Sequence, residues 1–313
     1  MINVFFNILI FPGLIFLSIF GLAAEYFDRK LCAKLQNRVG PPWFQPLADF
    51  IKLMAKENVI PNQADPTVFN LMPVLAFTAT LTAFFYIPLW QTKALSSFNG
   101  DLIVVLYLLT IPTLTFFLGG WYARSVFSMI GAARSIIQLF AYEIPLFLAI
   151  LAPAMMAGTL SLSEMTVFYG SHPWLVLLNM VDFVIALVAL LGKLEKTPFD
   201  IPEAETEIVA GCLTEYSGRL LAFFRIAIDM EMVVGSSLLA AVFLPFGFNF
   251  GFAIGFILYL VKVFFVVALL SLARTIVARL RIDQMINFCW KIVAPAAFLM
   301  LVVDLIVKGL ISR

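Results

Sequence analysis

The sequence predicts an all-α, polytopic integral membrane protein with about eight transmembrane helices, an amphipathic interfacial helix and an acidic cytoplasmic loop. Three observations carry that expectation. Of 313 residues, 63% are hydrophobic and only 12% are charged, about half the charged fraction of an ordinary soluble domain. Mean hydropathy is +1.03, and apolar surface on this scale is hidden only by lipid or by other membrane helices. Eight apolar runs approach the roughly 20 residues that cross a bilayer, near 3–24, 67–90, 101–120, 135–158, 173–192, 230–245, 250–270 and 290–310. A water-soluble globule is excluded, and residues 1–313 read as a single membrane domain.

The first span has no Lys or Arg before it and is followed by Arg29 and Lys30. That is the reverse of a secretory signal's charge order, so it is expected to be retained. Pro112 in the third span and Pro145 and Pro153 in the fourth remove backbone donors and should bend their helices. The sixth span, from Met230 to Pro245, is short. Of the 20 Lys and Arg residues, all but Lys93, Lys262, Lys308 and Arg313 fall in the first, third, fifth and seventh loops. Positive loops stay cytoplasmic, so both termini are expected outside a prokaryotic cell membrane.

Segments outside the spans are longest near 25–66 and 193–229, too short for a soluble catalytic domain. Chemistry must therefore be shared with a partner chain or occur within the membrane. The three cysteines, Cys32, Cys212 and Cys289, form no CxxC pair, and the lone His172 builds no His-rich site. No cofactor or metal is expected in this chain. A net charge of +1 offers nothing to nucleic acid. With no internal repeat visible, an inverted-repeat transporter finds little support.

In the first cytoplasmic loop, Trp43, Leu47, Phe50, Ile51 and Met54 recur at helical spacing after Gly40-Pro41-Pro42, with Asp49, Lys52 and Lys56 on the other face. This predicts an amphipathic helix in the interface. Its apolar face is expected on the bundle, and its charged face, with Arg29, Arg38, Asp49 and Lys52, on a soluble partner. A plain membrane-surface strut is the alternative.

The second loop sets Glu195, Asp200, Glu203, Glu205, Glu207 and Glu215 against Lys193 and Lys196, a net charge of −4 over 193–215. Asp200 and Glu203 read as a capping box. Glu203 and Glu207, at i and i+4, repel by about 0.2–0.5 kcal/mol. Carboxylates crowded beside low-dielectric surface raise one another's pKa, so the cluster is suited to hold and pass protons. The alternative is a solvated acidic face that only orients the loop.

Within the spans stand Glu143, Asp182, Glu231, Lys262 and Asp304. Each costs at least about 2.5–3.5 kcal/mol at a helix centre unless paired or hydrated, so each is a functional candidate. Glu143, two residues before Pro145, and Asp182 are the better placed for an ion path, and Lys262 would neutralise one of them. Glu231 and Lys262 are counted with them in the expected ion path, although Glu231, at the start of its span, and Asp304 are also placed to reach an interface. Arg134, Gln138 and Tyr142 form an i, i+4, i+8 polar stripe that must face protein or water.

These residues carry a family resemblance. Gln36-x-Arg38-x-Gly40-Pro41, Gln45-Pro46-x-x-Asp49-x-x-Lys52-x-x-x-Lys56-Glu57, Tyr142-Glu143 and above all Pro198-Phe199-Asp200-x-Pro202-Glu203-Ala204-Glu205-x-Glu207-x-x-x-Gly211-x-x-x-Glu215-Tyr216-Ser217-Gly218 resemble the heel subunit of respiratory complex I, the bacterial NADH:quinone oxidoreductase, and its relatives in membrane-bound [NiFe] hydrogenases. The resemblance covers essentially the whole chain. It implies a membrane subunit joining hydrogenase-like large and small soluble subunits to antiporter-like membrane subunits. Fe–S clusters, and in the hydrogenase branch a NiFe centre, would sit in the partners, with ferredoxin an indirect electron donor. It also implies that Glu143, Glu203, Glu205, Glu207 and Glu215 belong to a hydrated glutamate-rich path. Asp182 is placed there by position alone.

Only Pro42, Trp43 and Phe44 separate Pro41 from Gln45, whereas quinone-reducing members have a longer run, usually beginning with Asn. The shortened loop resembles the hydrogenase branch. The expectation is a membrane-anchor and ion-translocation coupling subunit of a ferredoxin-driven complex, a membrane-bound hydrogenase or a sulfur-reducing relative. The same subunit in a quinone-reducing complex I is the alternative. A stand-alone ion transporter or channel is the alternative of another class, and it would function without cofactor-bearing partners.

Overall fold

A computed structural model of the chain describes residues 2–248 and 251–311. Helices α1 (Ile2–Leu9) and α2 (Leu14–Leu35) form the first crossing, followed by the interfacial α3 (Gln45–Ala55). Asp65 caps α4 (Pro66–Phe84), accepting from the Thr67 N–H at 2.9 Å with Pro66 at the first helical position. Next come α5 (Asp101–Tyr122) and the 32-residue α6 (Val126–Ala157). Short helices α7 (Leu162–Ser171) and α8 (Leu175–Leu178) lead into α9 (Met180–Lys193). An irregular segment containing the one-turn α10 (Glu205–Ile208) precedes α11 (Gly218–Phe243) and α12 (Phe252–Ile276). Finally α13 (Ile282–Phe288) continues through a π-helical turn at Cys289–Val293 into α14 (Ala294–Ile311).

Among the described residues, seven helical stretches are long and apolar enough to cross a membrane. The fifth expected span is interrupted at Asn179, between α8 and α9. Two helices overrun their expected limits. α2 continues past residue 24 to Leu35, and α11 starts at Gly218 rather than near 230. In both cases hydropathy stops at the first charges, but on α2 Glu25 and Asp28 pair inside the protein and on α11 Asp229 lines the cavity, so the helix has no reason to end there.

α11 is the axis of the bundle. Residues 230–245 are buried throughout, and the helix packs against α2, α3, α4, α9 and α12. Lipid is as apolar as leucine, so close packing and satisfied polar groups, more than expulsion from water, hold these helices together. The main core joins Phe20 and Leu17 of α2 to Val233 and Leu238 of α11 and Val263 and Val267 of α12. A second core closes the end of the bundle nearest the acidic loop, where Phe69 stacks on Tyr216 at 4.0 Å. Gly211, at φ +52°, lets the 211–216 segment pass under the 198–204 loop, because a Cβ there would collide with the Pro202 carbonyl.

Helix α3 forms as expected but is rotated about its axis relative to expectation. Pro46, Asp49, Phe50 and Leu53 face the bundle cavity, while Trp43 is 74% exposed and Leu47 and Ile51 are also exposed. Of the stripe read as bundle-facing, Trp43, Leu47 and Ile51 therefore look outward, while Phe50 lines the cavity and Met54 is half-buried. Asp49, read as outward, turns in to accept from Gln45 Nε2 at 2.8 Å and to meet Arg29 at 3.6 Å.

Candidate functional site: a charged cavity beside the acidic loop

A cavity of about 790 Å³ opens where the C-terminal ends of α2 and α12 and the N-terminal part of α11 meet α3 and the 194–204 loop. Its wall is ionic. Acids Glu25, Asp49, Glu195, Asp200, Glu203, Asp229 and Glu231 interleave with Arg29, Lys193, Lys196, Arg225, Arg274 and Arg279.

At the inner end lies a fully buried ion pair. Lys193 Nζ, at the last residue of α9, is 2.9 Å from Glu231 Oε1. It also donates to the Leu109 carbonyl and lies 5.8 Å from the centre of the Tyr142 ring. Tyr142 is fixed by Thr113, its hydroxyl 3.0 Å from the threonine oxygen. Two charges taken out of water repay their desolvation only when geometry and extra hydrogen bonds are good; here the short contact and the Leu109 carbonyl serve the lysine, while Glu231 has Lys193 alone among the described residues.

A second cluster forms the wall nearest α12. Asp28, 1% exposed, accepts from Lys196 at 2.6 Å, Arg274 at 2.9 Å and Ser271 at 2.6 Å. Lys196 also reaches Glu25 at 3.2 Å, and Glu25 takes Arg29 at 2.6 Å. Burial, the largest influence on Lys196, pulls its pKa down, but Glu25 and Asp28 together hold it above the ordinary lysine value. This clasp ties α2 and α12 to the loop, and Arg274 Nε fastens it again to Thr197 at 3.0 Å.

The acidic loop supplies the third wall. Its arginines disperse the crowding expected from the sequence: Arg225 meets Glu203 at 3.5 Å, Arg279 meets Asp200 at 3.1 Å, and Arg134 donates to Glu207 at 2.7 Å. Asp200 and Glu203 thus form no capping box, and α10 begins two residues later without a side-chain cap. The hydrogen bond from Arg134 holds exposed Glu207 below the usual carboxylate range.

Glu195 has the opposite environment. It follows α9 with φ +49°, a left-handed conformation normally left to glycine, and its carboxylate accepts from Ser135 at 2.5 Å. Burial pushes it up to about 8, opposed by the Ser135 bond and reinforced by Glu203 and Glu231.

The polar stripe of α6 faces inward as expected, with Gln138 donating to the Gly192 and Phe199 carbonyls at 2.7 and 2.8 Å. Other expected site residues lie elsewhere. Glu143 is half-buried on α6 outside the cavity wall, though the charge of Lys193 acts on it. Glu215 is half-buried and does not line the cavity. The side chain of Glu205 lies outside the described residues. Lys262 neutralises neither Glu143 nor Asp182, because its ammonium sits over the rings of Phe246 and Phe248 at 4.9 and 4.4 Å. Asp182 and Asp304 are fully buried, away from the cavity, and neither Glu231 nor Asp304 reaches an interface. Arg38, Trp43 and Lys52 are exposed on the surface around α3, while Arg29 is shared between that surface and the cavity.

Sequence reasoning did not single out Glu25, Asp28, Lys193, Lys196, Arg274 or Arg279 as site residues. The available signal was the i, i+3, i+4 run Glu25, Asp28, Arg29 at the end of an apolar helix. No group of three or more His, Cys, Asp or Glu among the described residues is arranged to hold a metal ion.

The profile of the NADH dehydrogenase family matches residues 7–305. The H subunit of the NADH-quinone oxidoreductase of Carboxydothermus hydrogenoformans is 36% identical over 307 residues, covering 94% of this chain and 87% of the relative. That of Bacillus mycoides is 34% identical over 97% of this chain and 96% of its own length. Among solved structures, a chain of the membrane-bound sulfane sulfur reductase, described as an archaeal respiratory membrane complex, superposes with a TM-score of 0.81 at 26% identity, covering 93% of this chain and 96% of that one.

Proposed function

The chain belongs to the NADH dehydrogenase family, among the relatives of the NADH-quinone oxidoreductase H subunit, and from that premise we propose that it is the membrane-anchor and ion-translocation coupling subunit of a ferredoxin-driven respiratory complex. The complex is a membrane-bound hydrogenase or a sulfur-reducing relative. Hydrogenase-like soluble subunits bearing Fe–S clusters sit over the cavity mouth, and antiporter-like subunits flank the bundle. Both termini face outward.

The observation that carries this reading is the cavity itself. Its mouth is cytoplasmic and ringed by paired acids and bases, while its inner end is the buried Lys193–Glu231 pair. A charge change at a docked redox partner acts first on the half-buried mouth groups Glu195 and Glu203. Glu195, pushed up to about 8, exchanges its proton near neutrality. Low-dielectric walls carry that field inward to Glu231 and Lys193, and from Lys193 laterally to Glu143. The coupling is electrostatic and needs no redox group in this chain.

The relatives named for quinone reduction favour a second reading, the same subunit in a quinone-reducing complex I. Against it stand the shortened first loop and a cavity wall dense in charge, poorly matched to an isoprenoid tail.

Purified complex in proteoliposomes, supplied with reduced ferredoxin, tests both. We expect hydrogen or sulfide output together with an ion gradient, and Glu231→Gln should keep electron transfer while losing the gradient. Quinone reduction without hydrogen or sulfide would transfer the assignment to the second reading. A full gradient in Glu231→Gln would remove the coupling role.

A further inference from the structure

The outer half of the bundle holds a second polar group that the coupling reading does not use. Asn179 stands at the break between α8 and α9, and Asp182 lies in the first turn of α9. Asp304 comes from α14, which packs against α6 and α9. Both aspartates are 0% exposed and Asn179 is 1% exposed. Among the described residues, neither carboxylate has a hydrogen-bond partner on either oxygen, and Asn179 Oδ1 has none.

The neighbouring groups supply no positive charge. The Tyr169 hydroxyl is spent on the Pro153 carbonyl at 2.9 Å. The Asn179 carboxamide lies against the tyrosine oxygen, where its NH₂ is the donor, and this leaves Oδ1 for the carboxylate side. Lys308, one turn beyond Asp304, is the nearest lysine in sequence, and its ammonium donates to the Met155 carbonyl at 2.7 Å.

All three side chains act on the Tyr169 hydroxyl, and five buried acceptor oxygens without a donor cannot persist in an apolar interior unless a positive charge joins them. The positive end of the α9 dipole favours the ionised form of Asp182, which leaves a negative charge in the interior for a cation to neutralise. An amide oxygen and carboxylates are hard donors. Five of them, with no solvent exposure, fall short of the six to eight ligands of Ca²⁺ and leave no room for the water that Mg²⁺ retains. A helix broken at membrane depth, with its polar groups turned to the break, is the arrangement in which membrane proteins hold alkali cations.

We propose that Asp182, Asp304 and Asn179 form a binding site for a monovalent alkali cation of the size of Na⁺ in the outer half of the bundle. It is separate from the cytoplasmic cavity and does not depend on the coupling role or on the identity of the electron acceptor. With one carboxyl protonated and the other ionised, the occupied site is neutral.

The test uses the intact complex in lipid nanodiscs, equilibrated in choline chloride and then titrated with NaCl. Two readouts are combined: equilibrium binding of ²²Na⁺ and the infrared carboxyl region. Wild type should bind one more Na⁺ per complex than Asp182→Asn or Asp304→Asn, with a Na⁺-induced carboxylate band that both variants lack. Asn179→Ala keeps both carboxylates and should weaken Na⁺ binding about tenfold, which secures the reading if either aspartate variant assembles poorly. Equal Na⁺ stoichiometry in wild type and variants would overturn the proposal. So would carboxyl bands that respond to pH and not to Na⁺, since the pair would then hold protons only.

Discussion

The two polar regions of this bundle solve the problem of buried charge in opposite ways. At the cavity end, acids and bases are interleaved, so that Asp28 has three charged or hydroxyl donors and Glu231 has a lysine at 2.9 Å. In the second region, Asp182 and Asp304 have none among the described residues. The interleaved region is self-neutralising: a change at one group shifts the field at its neighbours, which suits a relay. The second region's pair is incomplete without an added positive charge, which suits a site that takes one up. The difference can be broken or sharpened by removing single charges from each.

The largest effect belongs to Lys193. Replacing it with Met leaves Glu231 charged in a site that is about 2% exposed, and breaking such a pair costs about 3–5 kcal/mol. The thermal midpoint of the purified complex should fall sharply in Lys193→Met. Most of it should return in the double variant Lys193→Met, Glu231→Leu, which removes both charges. A single variant as stable as wild type would mean that the pair is not buried in the assembled complex, and the contrast between the two regions would lose its cavity half.

The next comparison sets Asp28 directly against Asp304. Asp28→Asn withdraws the charged acceptor from Lys196 and Arg274, a loss of about 1.5–3 kcal/mol by the usual worth of hydrogen bonds to charged groups. Asp304→Asn, measured in sodium-free buffer, replaces an unpaired buried carboxyl by a neutral amide and should leave the midpoint unchanged or raise it. If the two substitutions lowered the midpoint equally, the carboxylates of the second region would have partners in the complex, and the two regions would no longer differ in kind.

Much of this was legible in the sequence, and the pattern of what was not is instructive. Composition and run length sufficed for a helical membrane protein, because a twenty-residue apolar run rarely has a place outside a bilayer. The Arg134, Gln138 and Tyr142 stripe announced an inward face through helical spacing alone. The clasp around Asp28 was hidden because its partners, Lys196 and Arg274, lie 168 and 246 residues away, beyond the reach of any local pattern. The ends of α2 and α11 were misjudged for a related reason: hydropathy treats a charge as the edge of the membrane, whereas Glu25, Asp28 and Asp229 sit on helices that continue beside a charged cavity. The rotation of α3 had no signal either. Trp43, Leu47 and Ile51 and the Pro46, Phe50, Leu53 stripe are both apolar, and only the neighbours decide which one is covered. Exposed apolar residues beside Arg38 and Lys52 fit a surface that a further subunit covers.

The smallest effect is expected at Glu195 and concerns a slope more than a level. Burial pushes this carboxyl up to about 8, with Glu203 and Glu231 adding to it. A carboxyl with a raised folded-state pKa binds more protons folded than unfolded between its two values. Its contribution to stability is therefore full below the unfolded value near 4.5 and is lost as pH rises from there through about 8. Glu195→Gln keeps the shape of the protonated form and an acceptor for Ser135, but cannot titrate. The variant should match wild type at about pH 4.5 and become relatively more stable as pH rises, with water at the cavity mouth limiting the gain. Melting curves of the two complexes between pH 5 and 8.5 decide it. Parallel curves would mean that Glu195 is ionised throughout, and the relay would then have to start at another mouth group, with Glu203, paired to Arg225 at 3.5 Å, the next in line.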